Sequence, residues 1–376
     1  MTQNKKNIAH ITTVHIRTDT RILYKEVQTL SKLYNTTLIV ADGMGDSSDS
    51  FAEIIDLGKP KNRISRILFY GLKTLPILKK KQITCVHIHD PELIIIAFIL
   101  KIRGYKVVYD IHELVYEDIR TKNWISSKII RNFIAWFYKV LEGLALKYFD
   151  GIILAEDGYK DFYEKNYPKN VSNIEYIRNY PIKAMFNVVE KNNNSINENE
   201  KAIIYLGAIS EDRGIVELVD AMSFLDSSFK LYIIGKWPET ALLERCQNLL
   251  GWAKVEMLGY LKPDQIGEYI KKSNIGMCTL HRLENFAYTT PVKSFEYLIN
   301  GLPLIMTDFS FWKEFYNGTA LFVDPKDSKE ISKQILNLIS NRDQYNKMSN
   351  KGIELALKHC WENEEKKLLN LYEKII

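Results

Sequence analysis

Twelve short runs of apolar and β-branched residues, separated by longer stretches of helical periodicity, constrain this 376-residue chain more than any other feature. Parallel strands need a crossover of a dozen residues or more, usually a helix, so this alternation points to parallel sheets covered on both faces. In the first half the spacing predicts strands at 7–14, 36–41, 84–88, 106–111, 151–155 and 174–177, with helices over 20–33, 62–78, 91–103 and 125–146. The second half repeats the rhythm, with strands at 202–207, 229–235, 254–258, 274–279, 302–306 and 319–323. Between them "VVEKNNNSINENEK" is polar and aperiodic, as a linker is. The expected division is a first domain at 1–187, a linker at 188–201 and a second domain at 202–360, followed by an amphipathic helix at 361–376. Open parallel sheets bind ligands at the carboxyl ends of their strands, so two of them imply a cleft lined by strand ends.

Composition narrows the class. The chain is 46% hydrophobic and 26% charged, the balance of a globular protein. Its longest uncharged apolar run, Leu93–Leu100, falls far short of the ~20 residues that span a bilayer. The N-terminal "MTQNKKNIAHITTV" has no apolar core followed by a small-residue cleavage site, so a cytoplasmic location is expected. Cys85, Cys246, Cys278 and Cys360 are dispersed and read as small buried hydrophobes in a reducing compartment. Residues 1–190 carry 28 Lys and Arg against 21 Asp and Glu, and the remainder carries 23 against 25. The excess of the first half suggests an anionic partner. No RNP motif, zinc finger or arginine-rich arm is present, so nucleic acid is not that partner.

Three groups of residues could carry chemistry. In "YLGAISEDRGI", Gly207 ends a strand and Arg213 opens the next helix, so the turn is either a phosphate clamp or an ordinary βα connection with a solvated arginine. In "TTPVKSFEYLINGLP", Thr290 suits an N-cap, Pro291 the first helical position and Gly301 the residue past the C-cap. Lys293 and Glu296 then share its polar face, either as a solvated ion pair or as an anion site strengthened by the helix N-terminus. The third group is a set of histidine-bearing strand ends: "VHIRTDTRI", "VHIHDPEL" and "YDIHEL". They bring His15, His87, His89 and His112 to one rim, with Glu113 beside His112. Asp19 and Asp90 within them also suit plain helix caps. No G-x-G-x-x-G follows the first strand, and the chain lacks a P-loop and a G-x-S-x-G elbow. It has no Asp-x-Asp pair, so no metal bridging a diphosphate and no cofactor is expected.

"TVHIRTDTRILYKEVQTL", "VHIHDPEL", "YDIHEL", "YLGAISEDRGIVEL" and "PVKSFEYLINGLPLIMTD" occur in the order seen in bacterial glycosyltransferases of family 4, which the chain resembles over almost its whole length. The resemblance implies the GT-B fold, an α/β architecture of two Rossmann-like doubly wound domains facing across a cleft, with the last helix returning to the first domain. It implies a retaining transfer from a nucleotide-diphosphate sugar held by the second domain to an acceptor held by the first. On that pattern Arg213 and Lys293 bind the diphosphate and Thr290 lies in the same cradle. Glu296 bonds the ribose, Gly207 forms the turn under the donor, and His112 sits near the transferred sugar; Glu113 beside it and Asp19 are further catalytic candidates from the residues themselves. Where family members carry a second glutamate this chain has Tyr288, with Glu284 out of register. Ala208 stands where many have arginine. "RTDTR" replaces a Gly-Gly turn, which would bring Arg17 or Arg21 to the acceptor side with His89 and Asp90.

Residues 59–81 hold eight Lys and Arg and no acid, interleaved with apolar residues, and suit the anionic inner face of a membrane. A glycan or lipid-linked acceptor would sit there, as in surface polysaccharide synthesis, with the protein peripheral on the cytoplasmic side. Trp124, Phe133, Trp136 and Phe137 are read as core-facing aromatics of a crossover helix. Two other readings stand beside transfer: a nucleotide-sugar epimerase on the same fold, and a non-catalytic binding subunit.

Overall fold

The computed structural model describes residues 5–121, 127–156, 158–168, 174–183, 201–237, 240–261, 263–287 and 289–376. The chain divides into two compact units, residues 1–179 with 362–376, and residues 180–361. The division falls between Asn179 and Tyr180, ahead of the boundary expected at 187. The linker at 188–200 lies outside the described residues, and Lys201 already belongs to a strand.

The first unit is an eight-stranded sheet built from β1 Asn7–Ile11, β2 Asn35–Val40, β3 Ser47–Ser48, β4 Glu53–Asp56, β5 Cys85–Ile88, β6 Lys106–Ile111, β7 Gly151–Leu154 and β8 Ile174–Tyr176. The order is β3-β4-β2-β1-β5-β6-β7-β8, parallel throughout except for the β3–β4 pair. The strand order reverses between β1 and β5, so their carboxyl ends form the switch point at which ligands bind in such sheets. The six strands expected here are present within three residues at each end. Sequence reading missed β3 and β4, which are too short and too polar to show an alternating pattern. Residues Glu362–Ile376 belong to this unit; there the Tyr372 hydroxyl meets His87 Nδ1 at 3.0 Å and Lys32 pairs with Glu365 at 2.8 Å.

Helix Lys128–Tyr148 shows how a polar group can be buried without strain. Glu142 on its packed face accepts hydrogen bonds from the hydroxyls of Tyr138, Tyr163 and Tyr167 at 3.0, 2.9 and 2.7 Å. Its other face is a correction to the sequence reading. Phe133, Trp136 and Phe137 are 63%, 58% and 48% exposed, joined by Ile129, Ile130, Val140, Leu144 and Tyr148. At ~100° per residue these eight fall on one 120°-wide stripe opposite Ala135, Glu142 and Ala145, so the helix is apolar on both sides. Trp124 lies outside the described residues.

The second unit is a six-stranded, wholly parallel sheet in the order β11-β10-β9-β12-β13-β14. Its strands are β9 Lys201–Leu206, β10 Phe229–Ile234, β11 Val255–Gly259, β12 Ile275–Cys278, β13 Leu304–Thr307 and β14 Ala320–Val323, all anticipated to within two residues. Ile203 and Tyr205 enter one core while Ala202, Ile204 and Leu206 enter the other, which is why β9 reads as an unbroken apolar run. Here the switch point lies between β9 and β12.

Candidate active site

At that switch point β9 and β12 pair only through Ile275 and Gly276, then part. The gap is filled by helix Val292–Ile299, whose Tyr297 hydroxyl accepts the Leu206 N–H at 2.7 Å. The helix lies so close that a Cβ on Gly276 would stand 2.3 Å from the Tyr297 ring. Gly301 ends it in the left-handed region at φ 71°, as expected. Its start differs from expectation. Pro291 has a helical φ but ψ 119°, so it is the cap rather than the first helical residue, and Thr290 is a buried residue ahead of it.

Leu206, Gly207, Arg213, Ile266, Leu280, Pro291, Val292, Lys293 and Glu296 line a pocket of about 360 Å³ at this helix N-terminus. Gly207 has φ 122°, a conformation L side chains avoid, and a Cβ there would meet nothing within 4 Å, so a ligand can approach its backbone. Arg213 is held at the rim by the next residue: Gly214 presses so tightly on Thr279 that a Cβ would lie 2.0 Å from its carbonyl oxygen. The Arg213 guanidinium stands 5.6 Å from the Phe286 ring.

Lys293 answers the question its polar face raised. It is 9% exposed rather than solvated, and its Nζ has no hydrogen-bond partner. The amine lies 4.0 Å from the centre of the Tyr205 ring. Burial, aided by the Arg213 charge, pulls it down from 10.5 to about 8, against the opposing pull of Cys278 and Glu296. A buried ammonium without a hydrogen-bond acceptor, beside an arginine and a helix N-terminus, is a receptor for an anion. Glu296, half-buried, faces the same pocket. Tyr288 lies outside the described residues.

The first unit places the other candidates differently from one another. His112, at the end of β6, meets Asp110 Oδ2 through Nε2 at 2.5 Å and stays partly exposed. Asp110 is buried, yet Arg21 and His112 hold its carboxyl well below the usual range. Residues i and i+2 of a strand share a side, so "YDIHEL" carried the signal for Asp110, which sequence reading passed over. His15 packs 5.1 Å from the His112 ring and pairs with Asp19 at 3.3 Å. Asp19 accepts the Ile22 N–H and, despite its burial, its bonds to His15 and this amide keep it ionised below the usual range. Glu113 is exposed beside His112.

Four acceptor-side candidates are engaged or buried within the first unit. Arg21 is buried and forks onto Asp110 at 2.8 and 2.7 Å, with the Ile177 carbonyl at 3.0 Å. Arg17 is spent on Asp42 at 2.8 and 2.7 Å, Ser47 and the Gly45 carbonyl. Asp90 occupies the N-cap of the short turn Pro91–Leu93, but its carboxylate does not cap it; it binds the Thr12 hydroxyl and the Thr13 and Val14 amides, fastening the loop after β1. His87 lies within β5 and His89 directly past its end, and both are buried rather than open to solvent.

Two parallel-sheet units of this kind define the GT-B fold. Residues 188–355 match the family model "Glycosyl transferases group 1". The uncharacterized glycosyltransferase MJ1178 of Methanocaldococcus jannaschii is 24% identical over 185 residues, which cover 46% of this chain and 48% of that protein. The match thus spans about half the length of that relative. Sucrose-phosphate synthase from Thermosynechococcus elongatus superposes with a TM-score of 0.76 at 14% identity, covering 98% of this chain and 99% of that one. Anabaena Alr3699/HepE in complex with UDP-glucose superposes with a TM-score of 0.71 at 10% identity, covering 98% and 99%.

Proposed function

We propose that the protein is a glycosyltransferase of family 4 that moves a sugar from a nucleoside-diphosphate sugar to a glycan or lipid-linked acceptor, with retention and with no metal at the diphosphate. The observation that carries this is Lys293: a buried, unpartnered ammonium at a helix N-terminus, opening onto the bare backbone of Gly207. As the anomeric C–O bond breaks, its electron pair goes to the diphosphate, and Lys293, Arg213 and the helix amides hold the growing charge. The acceptor hydroxyl forms the new bond to the anomeric carbon and gives its proton to the departing phosphate oxygen. Glu296 takes the ribose hydroxyls. His112, fixed by Asp110, serves the transferred sugar. The group 1 match and a fold neighbour solved with UDP-glucose support this reading.

An acceptor at a membrane suits two features of the first unit: the basic residues 59–81 and the exposed apolar stripe of Lys128–Tyr148. Each apolar side chain that leaves water contributes about 1.5–3 kcal/mol. Each lysine or arginine near an anionic surface adds about 1 kcal/mol. No helix among the described residues is long and apolar enough to cross a membrane. Assembly of a surface polysaccharide on the inner leaflet fits this arrangement.

A thermal-shift series with UDP, GDP, ADP and CMP in EDTA tests the donor site: one nucleoside diphosphate raises the melting temperature, and none doing so refutes the site. Co-sedimentation with phosphatidylglycerol vesicles tests the surface. Wild type binds, and F133S/W136S stays folded and in solution; equal binding by both refutes it. Free epimerised sugar without an acceptor would favour the epimerase instead.

A further inference from the structure

The switch point of the first sheet holds a second cluster that sugar transfer leaves unused. His10 on β1 lies beside His87 on β5 in the strand register, and His89, two residues on, shares the side of His87. The π-helical turn Ile22–Val27 lays Glu26 over them. All four side chains are buried, and one ligand atom from each lies within 4.8 Å of those from the other three. We infer that Glu26, His87, His10 and His89 form a binding site for a divalent transition metal ion of the zinc class.

Unpartnered atoms make the case. His10 Nε2, His87 Nε2 and Glu26 Oε2 are buried without a hydrogen-bond partner, while Glu26 Oε1 pairs with Arg21 at 3.1 Å and His89 Nδ1 lies 3.4 Å from Asp110 Oδ2. Glu26 Oε2 stands 3.7 Å from His87 Nε2 and 3.9 Å from His89 Nδ1. Those separations are too long for hydrogen bonds, so protonating Glu26 satisfies neither ring. They are close to the ~3.3 Å between ligand atoms around a tetrahedral ion with bonds of about 2.0–2.1 Å. Imidazole with carboxylate is a donor set that suits zinc, and the nitrogens opposite are tied as such ligands usually are. His87 Nδ1 meets the Tyr372 hydroxyl at 3.0 Å, and His10 Nδ1 meets His89 Nε2 at 3.0 Å.

Charge points the same way. Glu26 and Asp110 are two buried carboxylates sharing one guanidinium, that of Arg21, at 3.1 and 2.7 Å. Burial and the neighbouring Asp110 hold the Glu26 carboxyl well above the usual carboxylate range, and a cation bound here would relieve the repulsion between the two carboxylates. The proton between His10 and His89 leaves the neutral pair one outward lone pair. Glu26, His87 and one ring of the pair therefore bind first. The second ring can join only when its own outward N–H proton leaves to solvent as the ion enters, the proton between the two rings staying in place. The ion would pin β1 to β5 beneath the strand ends that carry Asp90 and His89.

The test uses tag-free, full-length protein, stripped with chelator, dialysed, and titrated with Zn²⁺ and with Co²⁺ alone. The expected result is about one equivalent of either metal per chain, a melting temperature that rises with free metal, and the visible bands of four-coordinate Co²⁺. The double variant H10N/H87N, folded by circular dichroism, should take up under about a tenth of that. Uptake by the folded variant equal to wild type means adventitious surface binding and overturns the site. Stripped wild type that takes up neither ion overturns it too. Should the variant not fold, X-ray absorption of the Co²⁺-loaded wild type decides: imidazole scattering supports the site and an all-oxygen shell overturns it. Metal content is read without donor or acceptor, so this outcome is separable from the UDP shift.

Discussion

Replacing Lys293 by methionine should make stability and binding move in opposite directions. The substitution keeps the apolar stem and removes an ammonium that is 9% exposed and has no hydrogen-bond partner. Burial holds that group at about 8 instead of 10.5. At 1.36 kcal/mol per pKa unit, keeping it charged at pH 7 costs the fold roughly 3 kcal/mol. K293M should therefore stabilise the second unit by up to about 3 kcal/mol, or roughly 6–12 °C for a unit of this size. The sign with pH follows from proton counts. The folded value is lowered, so between pH 8 and 10.5 the unfolded chain binds more protons and wild-type stability rises with pH. The advantage of K293M should shrink across that window. Binding should move the other way, because a charge-assisted hydrogen bond to phosphate contributes about 1.5–3 kcal/mol, a loss of about 10- to 150-fold in affinity for UDP. Urea unfolding at pH 7 and pH 10, with and without UDP, reads both effects. A K293M protein less stable than wild type, or one that binds UDP unchanged, refutes the reasoning.

Because free Lys293 loses its proton near pH 8, UDP binding above that pH should take up a proton and weaken by up to about tenfold per pH unit, which calorimetry in buffers of different ionisation enthalpy detects. R21M should destabilise the first unit by about 3–5 kcal/mol in urea, since it strands the buried Asp110 and Glu26 together; an unaltered midpoint would restore Arg21 to the acceptor side. Y297F should cost about 1–3 kcal/mol by leaving the Leu206 N–H unpaired, measured by the same unfolding curves. H112A should lower turnover by about 10²- to 10⁴-fold while the UDP-induced melting shift stays as in wild type, and unchanged turnover would contradict a role for His112 at the reacting sugar.

Local pattern carried most of the fold. A strand such as Ala202–Leu206 feeds both faces of a covered sheet, so it shows as an apolar run whatever surrounds it. Gly301 could be anticipated because only glycine ends a helix this way without strain. Gly207 and Arg213 were visible for a similar reason, as a turn that must leave its backbone bare. The strand pair β3–β4 was not visible, because a strand of four residues with acidic ends has no periodicity of its own.

What tertiary structure alone decided is the state of each charged group. Lys293 and Arg21 read alike in sequence, as cations near a strand end or helix start. Packing buried both, then left Lys293 without a hydrogen-bond partner and gave Arg21 two carboxylates. Phe133 and Trp136 show the converse, aromatic residues that composition assigns to a core and that the packed face of Lys128–Tyr148 turns outward. Periodicity determines which residues share a face. Which face is covered, and by what, depends on chain segments far apart in sequence: Glu26 meets His87, and His87 meets Tyr372, only because the sheet brings them together.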